Sequence, residues 1–308
     1  MKFLNTSLLL IVLSALFVPN STYAGTQKLE QFGENPGELL ATVYSPKTET
    51  SSIVLLLHGC AQNAEWLAEH TGLMSAAKAE EFTLLMPQQV KANNIQLCFN
   101  WFSEADQLMG SGETASIMNM IETVKKTTKA DKVYVVGLSA GGAMATSLIA
   151  QYPNEFQAAG IIAGVGYPCA DSLIKALTCM KSGSTYQISD LAEKVQKLHG
   201  ETVQWPNITV MAGTEDTIVS PQNATQIQQQ WQIIMDANKK ITGTNVLDGI
   251  TASRMENAQD AYIELLMIEG IGHGWPINSK SPNAGKAAPF VLETTVNATD
   301  YLINQWQL

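Results

Sequence analysis

Short apolar runs rich in β-branched residues alternate along this chain with segments whose apolar positions recur at helical spacing. Leu39–Tyr44 and Ile53–Leu57 read as strands joined by the polar turn Pro46–Ser52, and the second run is apolar throughout, as in a strand buried on both faces. A helix is expected over Trp66–Glu81 and a strand over Phe82–Met86, stopped by Pro87. Between Gln88 and Gly112 lies a loop carrying Cys98, Phe99, Asn100, Trp101 and Phe102. Ile117, Met120, Ile121 and Val124 fall on one face of an amphipathic helix over Glu113–Lys126. Val133, Val135 and Val136 then mark a strand, followed by a helix reaching Tyr152-Pro153 and a strand over Ala159–Ala163. Gly164–Pro206 interrupts the rhythm with Gly and Ser clusters and one short helix near Ile188–Leu198, and reads as a small cap at the carboxyl edge of a sheet. Ile208–Ala212 restores the sheet. Gln222–Ala237 is helical through Ile227, Trp231 and Ile234, Tyr262–Ile268 is the last strand, and Pro289–Trp306 closes the chain as a helix. Strands alternating with helices in this way predict an α/β fold, a mostly parallel central sheet with helices on both faces. No internal repeat or long linker divides it, so residues 25–308 are expected to form one catalytic domain with residues 164–206 as its cap-like excursion.

The start of the chain has a different pattern. Lys2 precedes the apolar run Leu8–Val18, and Ser21-Thr22-Tyr23-Ala24 supplies small residues around a cut after Ala24. Residues 1–24 therefore read as a secretory signal peptide, and the protein as periplasmic or secreted, with no membrane anchor after cleavage. In an oxidising compartment the four cysteines would form two disulfides, and the local pairing Cys60–Cys98 with Cys169–Cys179 is preferred. No C-x-x-C pair or His/Cys cluster has zinc spacing, so neither a metal nor a cofactor is expected. Of the 308 residues, 45% are hydrophobic and 15% charged, enough for a large core. A formal charge of −10 argues against nucleic acid or an anionic membrane surface as partner. No obligatory protein partner is implied.

The candidate chemistry begins in Val133–Ala150. There a strand meets Gly137-Leu138-Ser139-Ala140-Gly141 and passes directly into a helix, the layout of a nucleophile elbow with Ser139 on the turn. A serine nucleophile needs a base, and the base needs an orienting carboxylate. Four histidines compete for the role of base. His199 reads as a solvated helix end, His70 as a structural residue of the first helix, and His58 as a residue shaping the site from the end of its strand. His273, in Gly270-Ile271-Gly272-His273-Gly274-Trp275-Pro276 after a strand, is the best base. The acid should follow the strand Ile208–Ala212, where Glu215 and Asp216 compete, and the shorter Asp216 suits a tight loop better. An oxyanion hole would take the backbone N–H of Ala140, after the nucleophile, and that of Cys60 in Leu57-His58-Gly59-Cys60-Ala61-Gln62. Trp101, Phe102, Tyr167 and Trp275 are candidates for lining the cleft, with core packing as the competing reading.

The set LHGCAQNA (Leu57–Ala64), CFNWF (Cys98–Phe102), GETASI (Gly112–Ile117), GLSAGGAMA (Gly137–Ala145), GTEDTIV (Gly213–Val219) and GHGWP (Gly272–Pro276) resembles the poly(3-hydroxybutyrate) depolymerase-like esterases. These are α/β-hydrolases related to feruloyl and acetyl-xylan esterases, and the likeness runs from about Val54 to Trp275. It implies an α/β-hydrolase fold with Ser139 as nucleophile, Asp216 as acid, His273 as base and the Cys60 backbone as oxyanion donor. Lys129-Ala130-Asp131-Lys132 replaces the family's basic, proline-containing segment, and no appended polymer-binding module or Thr/Ser-rich linker is found. The expected activity is hydrolysis of short hydroxyalkanoate oligomers or related small esters. Feruloyl or acetyl groups on plant polysaccharide are the alternative substrates, and a non-catalytic binding protein on a hydrolase scaffold is the alternative class.

Overall fold

The computed structural model describes residues 25–200, 203–241 and 248–308, so the expected signal peptide lies outside the described residues. Ten strands form the main sheet: β1 (Gly25–Lys28), β2 (Leu40–Ser45), β3 (Ser52–Leu57), β4 (Thr83–Gln88), β5 (Lys132–Leu138), β6 (Ala158–Ile162), β7 (Asn207–Gly213), β8 (Lys239–Ile241), β9 (Ile250–Glu256) and β10 (Tyr262–Ile268). Their order is β1-β2-β4-β3-β5-β6-β7-β10-β9-β8. The six central strands from β4 to β10 run parallel, and the two strands at each edge pair antiparallel. Sequence periodicity misses β1, β8 and β9, which are short or largely polar and lie at the edges.

The central strands are apolar throughout because both faces are covered. Along β3, Ile53, Leu55 and Leu57 enter one core layer, while Val54 and Leu56 enter the other. The first layer takes in α4 (Gly112–Thr128), which follows the single-turn α3 (Glu104–Gln107), together with α5 (Ala140–Gln151) and α8 (Gln222–Ile234). The second takes in α1 (Ala64–His70), α2 (Leu73–Ala79) and α9 (Ala298–Trp306).

Several expected boundaries change for identifiable reasons. The helix expected over Trp66–Glu81 is two helices, because Gly72 takes φ +78° and the Asn283 carbonyl approaches so closely that a Cβ at Gly72 would lie 2.1 Å from it. Pro87 does not stop β4. It pairs with Ala41 beyond the Thr83–Leu85 stretch that β3 covers, where the missing N–H breaks no bond to β3. The closing helix begins only at Ala298, capped by the Asn297 side chain. Part of the preceding stretch forms β12 (Val291–Glu293), which pairs parallel with β11 (Trp275–Ile277), so Tyr262–Ile268 is not the last strand. The excursion after β6 carries two helices, α6 (Leu173–Ser182) and α7 (Ile188–Gln196), rather than one. His199, beyond α7, is not a solvated end. Its Nε2 lies 2.7 Å from the Ala150 carbonyl and its ring meets the Trp205 ring edge-on.

Candidate active site

Ser139 sits between β5 and α5 with φ 57° and ψ −117°, a backbone conformation that costs energy for any residue with a Cβ. Its N–H donates to the Ile162 carbonyl (2.9 Å), and its own carbonyl accepts from the Ala143 N–H (2.9 Å) to open the helix. The turn closes only because its neighbours lack side chains. A Cβ on Gly137 would lie 2.2 Å from the Gly141 carbonyl oxygen, and one on Gly141 would lie 2.1 Å from that of Leu57. The hydroxyl thus stands at the N-terminus of a 12-residue helix, where backbone partial charge favours an anion.

Two further loops, after β7 and β10, meet beside this turn. The Glu215 N–H donates to the Ile271 carbonyl (3.0 Å) and the Gly270 N–H to the Thr214 hydroxyl (3.0 Å), so the two loops are stitched together. His273 Nδ1 lies 2.7 Å from Asp216 Oδ2. Asp216 Oδ1 accepts the N–H groups of Ile218 (2.8 Å) and Val219 (2.9 Å), which fixes the carboxylate plane. Of the two competing acids, Asp216 is buried against the imidazole and Glu215 is exposed. With Nδ1 facing a carboxylate as donor, Nε2 is left to act as an acceptor.

The loop after β3 forms the third wall. Neither the Cys60 nor the Ala140 N–H donates to a protein acceptor among the described residues. His58 is fully buried, and burial pulls its pKa down to about 4. Its Nδ1–H donates to the Gly59 carbonyl (2.7 Å), while its Nε2 accepts from the Gln89 N–H (3.1 Å). Carbonyl and N–H of one trans peptide point in opposite directions, so pinning the Gly59 carbonyl sets the direction of the Cys60 N–H. The Gly59 N–H in turn donates to Gln62 Oε1 (2.7 Å). Disulfides join Cys60 to Cys98 and Cys169 to Cys179, the pairing preferred from the sequence. Behind the first bridge, the buried carboxylate of Glu113 accepts the Asn100 N–H (2.8 Å), Asn100 Nδ2 (2.9 Å) and Gln89 Nε2. Burial outweighs these donors and pushes the Glu113 carboxyl up to about 8.

Ser139 and His273 open on a common cavity of about 280 Å³, whose walls include Cys60, Gln62, Met180 and Phe290. None of the four aromatic candidates lines it. Trp275 and Trp101 are buried in the two core layers, Tyr167 is buried with its hydroxyl bonded to Gln151 Nε2, and Phe102 packs edge-on against Trp101. Phe290 was hidden from sequence reading inside the helix expected over Pro289–Trp306. Met180 comes from α6, which the Gly and Ser clusters obscured. Gln62, three residues past Gly59 in the same loop, was open to being found but carried no distinctive spacing. No group of three or more His, Cys, Asp or Glu side chains able to hold a metal occurs among the described residues.

The same architecture occurs in the acetyl xylan esterase from Aspergillus awamori, with a TM-score of 0.70 over 81% of this chain and 94% of that one at 22% identity. Poly(3-hydroxyalkanoate) depolymerase C of Paucimonas lemoignei is 32% identical over 293 residues, covering 92% of this chain and 70% of the relative. Feruloyl esterase B of Talaromyces funiculosus is 29% identical over 283 residues, covering 87% and 78%. The chain is a carboxylic ester hydrolase built on the α/β-hydrolase fold. Residues 41–252 match the family described as Esterase PHB depolymerase, and the chain belongs to that family.

Proposed function

We propose that this protein is a secreted serine esterase that cleaves short hydroxyalkanoate oligomers or related small esters through Ser139, His273 and Asp216. The observation that carries the reading is the 2.7 Å contact of His273 with Asp216 beside a cavity that His273 shares with Ser139. His273 Nε2 takes the Ser139 proton as the hydroxyl oxygen bonds to the ester carbonyl carbon. Asp216 holds the imidazole in place and stabilises the imidazolium. The N–H groups of Cys60 and Ala140 receive the oxyanion at the helix N-terminus. The alcohol leaves with the proton from His273, and water, deprotonated by the same imidazole, frees the acid and restores Ser139. The depolymerase name of the Paucimonas relative favours hydroxyalkanoate esters. The Talaromyces relative keeps feruloyl esters as the second reading, with the same three residues. Two disulfides support folding in an oxidising compartment.

Turnover of p-nitrophenyl acetate tests the assignment. Ser139→Ala is expected to lower kcat by about 10⁴-fold or more while the protein still folds. Undiminished turnover in that variant would refute it. Comparing 3-hydroxybutyrate oligomers with methyl ferulate then separates the two substrate readings, and the faster ester names the class.

A further inference from the structure

The loop after β3 is held in place from outside, by the residue that follows β4. Gln89 reaches this loop by two routes. In the first, its backbone N–H donates to His58 Nε2 (3.1 Å). Facing a backbone donor, Nε2 keeps its lone pair, so the proton of the neutral ring sits on Nδ1. That proton goes to the Gly59 carbonyl (2.7 Å), which holds the Gly59–Cys60 peptide in one of its two orientations. The second route runs through the side chain. Gln89 Nε2 donates to the Cys98 carbonyl (3.0 Å), and Cys98 is joined to Cys60 by the disulfide. One residue thus holds Cys60 from its backbone side and from its side-chain side.

Gln89 is itself fixed. It is 1% exposed, its Oε1 accepts the Val90 N–H (2.9 Å) and Asn93 Nδ2 (3.0 Å), and its Nε2 also donates to Glu113 Oε1. Both amide protons and both lone pairs of the side chain are therefore in use. Two neighbouring bonds close the same seam. The Ala61 N–H donates to the Gln96 carbonyl (2.6 Å), and the Ala64 N–H, at the start of α1, donates to Gln88 Oε1 (2.7 Å). A buried polar network in which every member is satisfied rigidifies the groups it joins. Here those groups are the loop after β3, the loop after β4 and the first turn of α4.

We propose that Gln89 is a positioning residue for ester hydrolysis, locking the Gly59–Cys60 peptide so that the Cys60 N–H faces the oxyanion. Gln89 lies outside the walls of the cavity that Ser139 and His273 share, and it acts through His58 and Cys98. The proposal rests on the mechanism above, in which the Cys60 N–H is an oxyanion donor. Without the lock the peptide is free to turn, and the Gly59 carbonyl would then face the developing charge in place of the N–H. The loss falls on the transition state and spares the binding of the uncharged ester.

The test pairs turnover of p-nitrophenyl acetate with inhibition by a trifluoromethyl ketone, whose hemiketal with Ser139 carries the oxyanion. Gln89→Met keeps the length of the side chain and removes its hydrogen bonds. In that variant kcat is expected to fall about tenfold or more with KM little changed, and the ketone inhibition constant to rise by the factor that kcat/KM loses. Gln151→Met is the control. Gln151 is also a buried amide, bonded to the Gln107 carbonyl and the Tyr167 hydroxyl, so its loss should lower Tm and leave kcat and the ketone constant in place. Should Gln89→Met not fold, His58→Asn, which removes the acceptor of the Gln89 N–H, is read by the same two constants. An unchanged kcat, or a fall that Gln151→Met reproduces, overturns the positioning role and leaves Ser139, His273 and Asp216 untouched. A fall in kcat with an unchanged ketone constant overturns it as well. Wild-type enzyme that the ketone does not inhibit overturns the oxyanion reading, and this proposal with it.

Discussion

Three residues in or beside the walls of the cavity hold a left-handed backbone without being glycine: Ser139, Ala61 and Phe290. Each such conformation costs about 1–3 kcal/mol and persists only where surrounding bonds over-determine it. For Ser139 those bonds are the Ile162 and Ala143 contacts, and the room comes from Gly137 and Gly141. Gly141→Ala would push a methyl into the carbonyls of Leu57 and His58, which are backbone and cannot turn aside. We expect it to cost about 3 kcal/mol or more, seen as a loss of soluble protein or a large fall in Tm, and an unchanged Tm would contradict the close approach. The G-x-S-x-G spacing made this turn legible without a structure, since only glycine fits both flanks. The choice of Asp216 over Glu215 was less legible. Two adjacent acids in one loop differ in sequence only by a methylene, and it is the stitching of that loop to Ile271 that buries one and exposes the other.

At the scale of elements, the loop after β3 is held by groups that come from far along the chain. The Cys60–Cys98 bridge spans 38 residues, and the Asn100 side of it is anchored to Glu113 at the start of α4. The Cys169–Cys179 bridge spans only 10 and ties α6 to the loop just before it, within the excursion. Loop-closure entropy makes the longer bridge worth about 1 kcal/mol more, on top of its place beside Ser139. The double variant Cys60→Ser/Cys98→Ser should therefore lose more Tm, and more kcat/KM on p-nitrophenyl acetate, than Cys169→Ser/Cys179→Ser. The reverse order would mean that the excursion, not the loop after β3, limits the site. Central strands and long amphipathic helices were legible because burial on two faces or one leaves a clear pattern. The edge strands were not, because a half-covered polar strand such as β9 has no apolar run to detect. Helix ends set by contacts, as at Gly72 against Asn283, were equally invisible.

For the whole molecule, two buried groups behind the site tie stability to pH in opposite directions. His58 has its pKa lowered from 6.5 to about 4, so the unfolded chain takes up a proton that the folded chain refuses. Its contribution is complete above about pH 6.5 and is lost as the pH falls toward 4. Glu113 has its pKa raised from 4.5 to about 8, so the folded chain keeps a proton that the unfolded chain releases. Its contribution is complete below about pH 4.5 and is lost as the pH rises toward 8. Of these two groups only Glu113 acts between pH 6.5 and 8, and it should make Tm decline over that span. Glu113→Gln, which cannot ionise, should start from a lower Tm but show a flatter profile there. A wild-type-like slope in that variant would assign the decline elsewhere. The sequence by itself determined the alternating α/β plan, the elbow at Ser139 and the candidacy of His273, because burial periodicity and glycine sterics act over a few residues. Only the tertiary structure decided which aromatics meet the cleft. Trp101, Tyr167 and Trp275 go to the core and Phe290 to the cavity beside Ser139, a sorting made by strand order and loop packing between residues more than two hundred positions apart. Apolar side chains carry no local mark of the surface they will join.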